Sequence, residues 1–239
     1  MRAIFFSVIF LIGGFLIQAQ DNTPYTSQFA YGLNLNSQAG ILGGLSVRYS
    51  KQIDEKWYHS LSLELVEIKH PKEERLSSLL TGEFFVPGKQ NYLYVLRPQY
   101  GREYVLFKKA EDRGVQINAI GAIGPTLGLT VPYVIVYDDP QDPREPLRVP
   151  FDPNIHAFNF IRGSGLPFES IANSKFHIGG SAKVSAVLEY SASRSNAFGL
   201  EIGYMVDAFA SRPIIMPLAE NRAVFSSIFV TIFYGFNTY

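Results

Sequence analysis

The stretch AVFSSIFVTIFYGFNTY, Ala223 to Tyr239, decides the fold. It is apolar enough for a membrane, yet it carries two Ser, two Thr, an Asn and a Gly. A transmembrane helix needs roughly 20 consecutive, predominantly apolar residues. A strand with two different faces needs only alternation. Here Val224, Ile228, Val230, Ile232, Tyr234 and Phe236 fall on one face, opposite Ser227, Thr231 and Gly235. Phe225, Phe229 and Phe233 land on the polar side. Either they cap a polar interior or the phase is off by one residue, which would turn every side chain to the other face.

The same period of two runs through the chain. Phe29, Tyr31, Leu33 and Leu35 alternate with Ala30, Gly32 and Asn34; Leu45, Val47 and Tyr49 with Ser46 and Arg48; Leu61, Leu63 and Leu65 with Ser62 and Glu64. Tyr92 to Leu106 opposes Arg97, Gln99, Gly101 and Glu103, with Arg102 interrupting the apolar face. Val115 to Val131 opposes Gln116, Asn118, Thr126 and Thr130, and Ile178 to Tyr190 opposes Ser181, Lys183, Ser185 and Glu189. The cleanest case sets Phe198, Leu200, Ile202, Tyr204 and Val206 against Gly199, Glu201, Gly203 and Asp207. With the opening stretch this predicts about eight strands.

Water-soluble sheets alternate too, with one face packed on a core. Three features favour a membrane barrel instead. The apolar faces run about nine to eleven residues, the length a tilted strand needs to cross a bilayer. The opposite faces carry Gly, Ser, Thr, Asn and charges, not a second hydrophobic layer. Tyr and Phe gather toward strand ends, as in interfacial girdles. The connections supply an independent test. Lys51–Lys56, Ala110–Gly114 and Ser193–Asn196 are short, whereas three of the four opposite connections, 71–90, 138–174 and 211–222, are long and only the first, near Ser37–Gly40, is short, the asymmetry of bacterial outer-membrane barrels. The predicted fold is a closed antiparallel transmembrane β-barrel of about eight strands, whose lumen is filled by side chains. The last strand then pairs with Phe29–Leu35, so that no edge faces lipid.

Composition narrows the function. The 21 basic and 21 acidic residues cancel, which argues against nucleic-acid binding. A mean hydropathy of +0.06 is too low for a polytopic helical membrane protein. The chain has no cysteine, which excludes disulfides and a lipid-modified cysteine anchor. Residues 1–20 read as a signal peptide: Arg2 is the basic head, Ala3 to Ile17 the apolar segment and Gln18-Ala19-Gln20 the cleavage site. The alternative is an uncleaved anchor. Residues 21–239 form the barrel domain, placed in the bacterial outer membrane.

Four pieces, EIKHPKEE (Glu67–Glu74), GKQNYLYVLRPQYG (Gly88–Gly101), RGVQI with GPTLGLTVPY (Arg113–Tyr133) and LEIGYMVDAF with Pro-Ile-Ile-Met (Leu200–Met216), resemble a family of small outer-membrane barrels in Bacteroidota. The resemblance implies fold and location. That family has no established activity, so the resemblance implies none here.

Eight charges are expected to point inward: Arg48, Glu64, Arg97, Glu103, Lys183, Glu189, Glu201 and Asp207. In a filled lumen they must pair with one another, giving a salt-bridge plug, with Lys183–Glu201 as one pair. A narrow ion or proton path is the functional alternative. A lipid-modifying enzyme would draw on His70, His177, Ser174 and Glu67 or Glu169, but no motif of specific spacing joins them. Asp138, Asp139, Asp142 and Asp152 lack the ligand spacing of a calcium loop, so no metal and no cofactor is expected. The Pro- and Asp-rich stretch from Asp138 is expected to run extended, with a helical turn near Pro167–Ala172. Ile155, Phe158, Phe160 and Ile161 are apolar for an exposed segment, and either pack on the barrel mouth or form a partner-contact patch. Expected partners are outer-membrane lipid, lipopolysaccharide and other outer-membrane proteins. The leading functional class is a non-enzymatic structural or binding component.

Overall fold

The structure is a computed structural model that describes residues 25–108, 114–140, 142–191 and 195–239. The signal-peptide reading therefore lies outside the described residues, as do parts of the Ala110–Gly114 and Ser193–Asn196 turns. Eight antiparallel strands close a barrel: β1 (Ser27–Asn36), β2 (Gly40–Gln52), β3 (Trp57–Ile68), β6 (Asn91–Phe107), β7 (Gly114–Pro132), β11 (Lys175–Ser191), β12 (Asn196–Phe209) and β13 (Val224–Thr238). Neighbours in sequence are neighbours in the wall, and β13 closes on β1. The closing register sets Phe29 against Phe236, Tyr31 against Tyr234, Leu33 against Ile232 and Leu35 against Val230.

Alternation sorts the two faces. Leu33, Leu45, Leu63, Ile123, Val184, Ile202 and Ile232 stand exposed on the outside. Asn34, Ser50, Glu64, Asn118, Lys183 and Thr231 are buried inside. Tyrosines and one tryptophan collect near the lower rim, the end with the short turns. There Trp57 packs on Tyr104 at 4.7 Å, and Tyr234 on Phe236 at 5.2 Å.

The upper rim carries more order than the sequence suggests. The loop after β3 holds the hairpin β4 (Leu76–Ser77) and β5 (Phe84–Phe85). The long connection from β7 to β11 is no extended ribbon. It builds a three-stranded sheet in the order β10–β8–β9, from β8 (Val134–Asp139), β9 (Asp142–Pro150) and β10 (Ile161–Ser164). Its prolines are tolerated because β9 is an edge strand, where a missing N–H faces no partner. The helical turn near Pro167 appears as a short 3-10 helix at Ile171–Asn173. Val131, expected outside, is fully buried at the upper end of β7, beside Tyr92 on β6 and where the chain leaves the wall for β8.

Candidate functional site

Six of the eight inward charges form one chain of alternating sign across the lumen. Asp207 takes two hydrogen bonds from Arg97, 2.9 Å from Nε and 2.6 Å from Nη2. Arg97 also stands 3.6 Å from Glu64, Glu64 bonds Lys183 at 2.8 Å, and Lys183 lies 3.2 Å from Glu201. Glu201 ends the chain on Arg48 at 3.0 Å and accepts a hydrogen bond from Ser185 at 2.7 Å. Glu103 and Glu189 accept hydrogen bonds from neutral donors and lie close enough to act on the Arg48 guanidinium. Ser50 and Asn118 reach Glu103 at 2.7 and 2.5 Å, and Gln28 reaches Glu189 at 2.8 Å. All eight are buried. Charges taken this far out of water are tolerable only when paired and hydrogen-bonded.

The three phenylalanines of β13 point into the same lumen, so the phase of that strand is not shifted. Phe233 stacks its ring 4.8 Å from the Arg48 guanidinium, and Phe229 lies 5.7 Å from the Lys183 ammonium. Space for them comes from glycines directly opposite. Phe233 pairs with Gly199 on β12 and Gly32 on β1, and Phe229 pairs with Gly203. A Cβ on Gly199 would sit 2.5 Å from the Phe233 ring, and one on Gly203 would sit 2.8 Å from the Phe229 ring. Phe225 joins an apolar plug at the upper rim with Val66, Ile68, Leu93, Val95 and Phe209, sealed by Ile215 and Met216 from the last loop. Tyr25, Tyr58 and Val105 close the lower end.

The residues considered for lipid chemistry are not joined. His177 contacts Ser211 at 2.8 Å and Thr130 at 3.2 Å, while His70 contacts the Glu220 carbonyl at 3.1 Å. The Ser174 hydroxyl makes no hydrogen bond, and Glu169 pairs with Arg148 at 3.2 Å. Among the described residues, no three His, Cys, Asp or Glu side chains converge as metal ligands. Asp138 pairs with Arg162 at 3.1 Å.

The apolar loop residues divide. Ile161 is buried with Phe85, Tyr133, Ile135, Tyr137 and Phe151, so it belongs to the core of the upper sheet and not to a contact patch. Its position on β10 turns it inward. Ile155, Phe158 and Phe160 remain exposed.

Sequence reasoning missed a cavity of about 540 Å³ on the outer wall at the upper rim. Glu67 at the top of β3, Lys69 just beyond its end, and Tyr92 and Tyr94 from β6 form its back. Their sequence neighbours Val66, Ile68, Leu93 and Val95 are buried in the lumen, so these four point outward. Glu73, Arg75, Phe84, Phe85 and Lys89 come from the loop after β3, and Tyr133, Ser164 and Pro167 from the loop after β7. The Lys89 ammonium is buried and bonds Glu73 at 2.7 Å, stands 3.6 Å from Glu67 and lies 4.2 Å from the Tyr92 ring centroid. Burial pushes the Tyr133 phenol up, and its oxygen accepts the Val86 N–H at 3.0 Å. Phe168 stacks on Tyr94 at 4.7 Å, from a backbone with φ of 70° that a bulky residue adopts only under strain. The sequence signal was present as two dense charge-and-tyrosine segments flanking one loop, Glu67–Arg75 and Lys89–Tyr94. Nothing local said that they meet.

No family model matches the chain, and no curated protein does. Among solved structures, Ail, the attachment invasion locus protein of Yersinia pestis, is similar at 7% identity and a TM-score of 0.41, covering 90% of this chain and 99% of that one. Neisserial surface protein A is similar at 11% identity and a TM-score of 0.41, covering 89% of this chain and 94% of that one. Likeness this distant is silent on activity.

Proposed function

We propose that the chain is an integral barrel of the bacterial outer membrane that works as a non-enzymatic structural or binding component through its external face. It is inserted after signal-peptide cleavage, and it resembles the small Bacteroidota barrels. Support for the membrane comes from the outer wall. A continuous belt of exposed Leu, Ile, Val, Phe and Tyr has no place in water, where patches beyond a few hundred Å² mark an interaction surface. The observation that carries the functional reading is the contrast between lumen and rim. The lumen is filled by an ion-paired chain between two apolar plugs, which leaves the external face as the surface open to partners. The chain instead spends its length on an ordered cap of five short strands at the upper rim. Ile155, Phe158 and Phe160 on that cap offer aromatic and aliphatic surface of the kind that anchors protein contacts. An accessory subunit of an outer-membrane assembly or secretion machine fits this division of labour.

Affinity purification of tagged protein from native membranes tests the proposal. Stable co-purifying outer-membrane proteins, lost when Ile155, Phe158 and Phe160 are changed to Ser, are the expected result. A protein that elutes alone, or that releases acyl chains from lipid A, points away from it.

A further inference from the structure

The wall cavity stands at a distinctive height. One step down the strands from Glu67, Tyr94 and Leu129 lies the row Leu65, Leu96 and Leu127, paired across β3, β6 and β7. Leu65 and Leu127 are exposed on the outside. The cavity therefore sits at the top edge of the apolar belt, beside the barrel and not over its mouth. Under the membrane reading above, on which this inference rests, that is the headgroup level of the outer leaflet.

Its charges say which headgroup. A mixed set of acids and bases could in principle take a cation or an anion. The cation subsite is already filled from within, because Glu67 and Glu73 are committed to the Lys89 ammonium over the Tyr92 ring. Lys69 stands 4.0 Å from Glu67 as well. Arg75 is left, an exposed guanidinium on the cavity rim with no ion pair among the described residues. Three cations line the cavity against two carboxylates, so one positive charge stays uncompensated. A guanidinium forks onto phosphate with two parallel hydrogen bonds. Five aromatic rings, Phe84, Phe85, Tyr92, Tyr94 and Tyr133, also line the cavity, apolar surface suited to the flat face of a sugar ring, and Phe168 backs Tyr94 from beside the lining residue Pro167.

We propose that this cavity holds the phosphorylated sugar headgroup of an outer-leaflet glycolipid, with phosphate on Arg75 and acyl chains against Leu65, Leu96 and Leu127. Phe168 stacks on Tyr94 from behind, so this part of the aromatic wall is formed before the ligand arrives.

The full mature protein, reconstituted in phosphatidylcholine nanodiscs, is titrated with diphosphoryl lipid A and read by native mass spectrometry. One lipid A is retained per barrel, and Arg75→Ala weakens retention about tenfold, the loss of one charge-assisted contact. Arg75 is exposed, so the variant still shows the heat-modifiable gel mobility of a folded barrel. Equal retention by wild type and Arg75→Ala overturns the proposal. Glucosamine 1-phosphate, added to the same discs, is expected to bind far more weakly than lipid A; equal affinity would mean a soluble sugar phosphate and overturn the lipid source. If the protein inserts into discs and retains no lipid A, this inference alone fails. If it does not insert, the membrane reading fails with it.

Discussion

Arg97 on β6 and Asp207 on β12 meet across the lumen through two hydrogen bonds of 2.9 and 2.6 Å, although two other strands separate them in the wall. This fork ties opposite sides of the barrel together. Removing one member leaves a buried charge without its partner. Arg97→Met should therefore destabilise the barrel by about 3–5 kcal/mol, measured by urea unfolding in detergent or bilayers. The double variant Arg97→Met with Asp207→Leu should recover much of that loss, since an apolar pair carries no desolvation cost. A double variant as unstable as the single would refute the pairing account.

The same chain of charges closes the lumen. Planar bilayers with wild-type protein are expected to show no conductance steps. Lys183→Ala should stay equally silent, because the plug of Val66, Leu93, Val95, Phe209 and Phe225 above it is untouched. Discrete openings in either protein would revive the ion-path reading.

Gly203 is a test of the phenylalanine packing. A Cβ there would stand 2.5 Å from the Val184 carbonyl oxygen and 2.8 Å from the Phe229 ring. Gly203→Ala is expected to cost about 1–3 kcal/mol through overpacking. Phe229→Leu in the same chain should relieve the ring contact but not the backbone one, so rescue is partial. Full stability of Gly203→Ala in the unfolding assay would show that Phe229 does not fill this space.

Orientation can be read with thiols, because the chain has no cysteine of its own. A cysteine at Leu79, 90% exposed in the upper hairpin loop, should react with a membrane-impermeant maleimide on intact cells. A cysteine at Glu55, exposed in the short turn between β2 and β3, should react only after the outer membrane is broken. The reverse pattern would place the cap on the inner side.

Alternation is a local property, and that is why so much of the fold was legible in the sequence. Each strand announces its two faces through residues two apart, as Leu61, Leu63 and Leu65 do against Ser62 and Glu64. Eight such strands with unequal connections leave few ways to satisfy every backbone group except closure, and Phe29 to Leu35 does close against Val230 to Phe236. The inward direction of the eight charges followed from the same phase. Tertiary structure decided everything that depends on who stands opposite. Phe225, Phe229 and Phe233 were ambiguous alone, because a phenylalanine fits a polar lumen only where glycines such as Gly199 and Gly203 leave room and a cation covers the ring. Lys183 could be assigned to Glu201 from adjacency, but its shorter contact is to Glu64, on the far side of the lumen. The wall cavity was invisible for the same reason. Arg75, Lys89, Tyr94 and Phe168 lie on two loops and a strand, and only the pairing of β3 with β6 and of β6 with β7 brings those loops side by side.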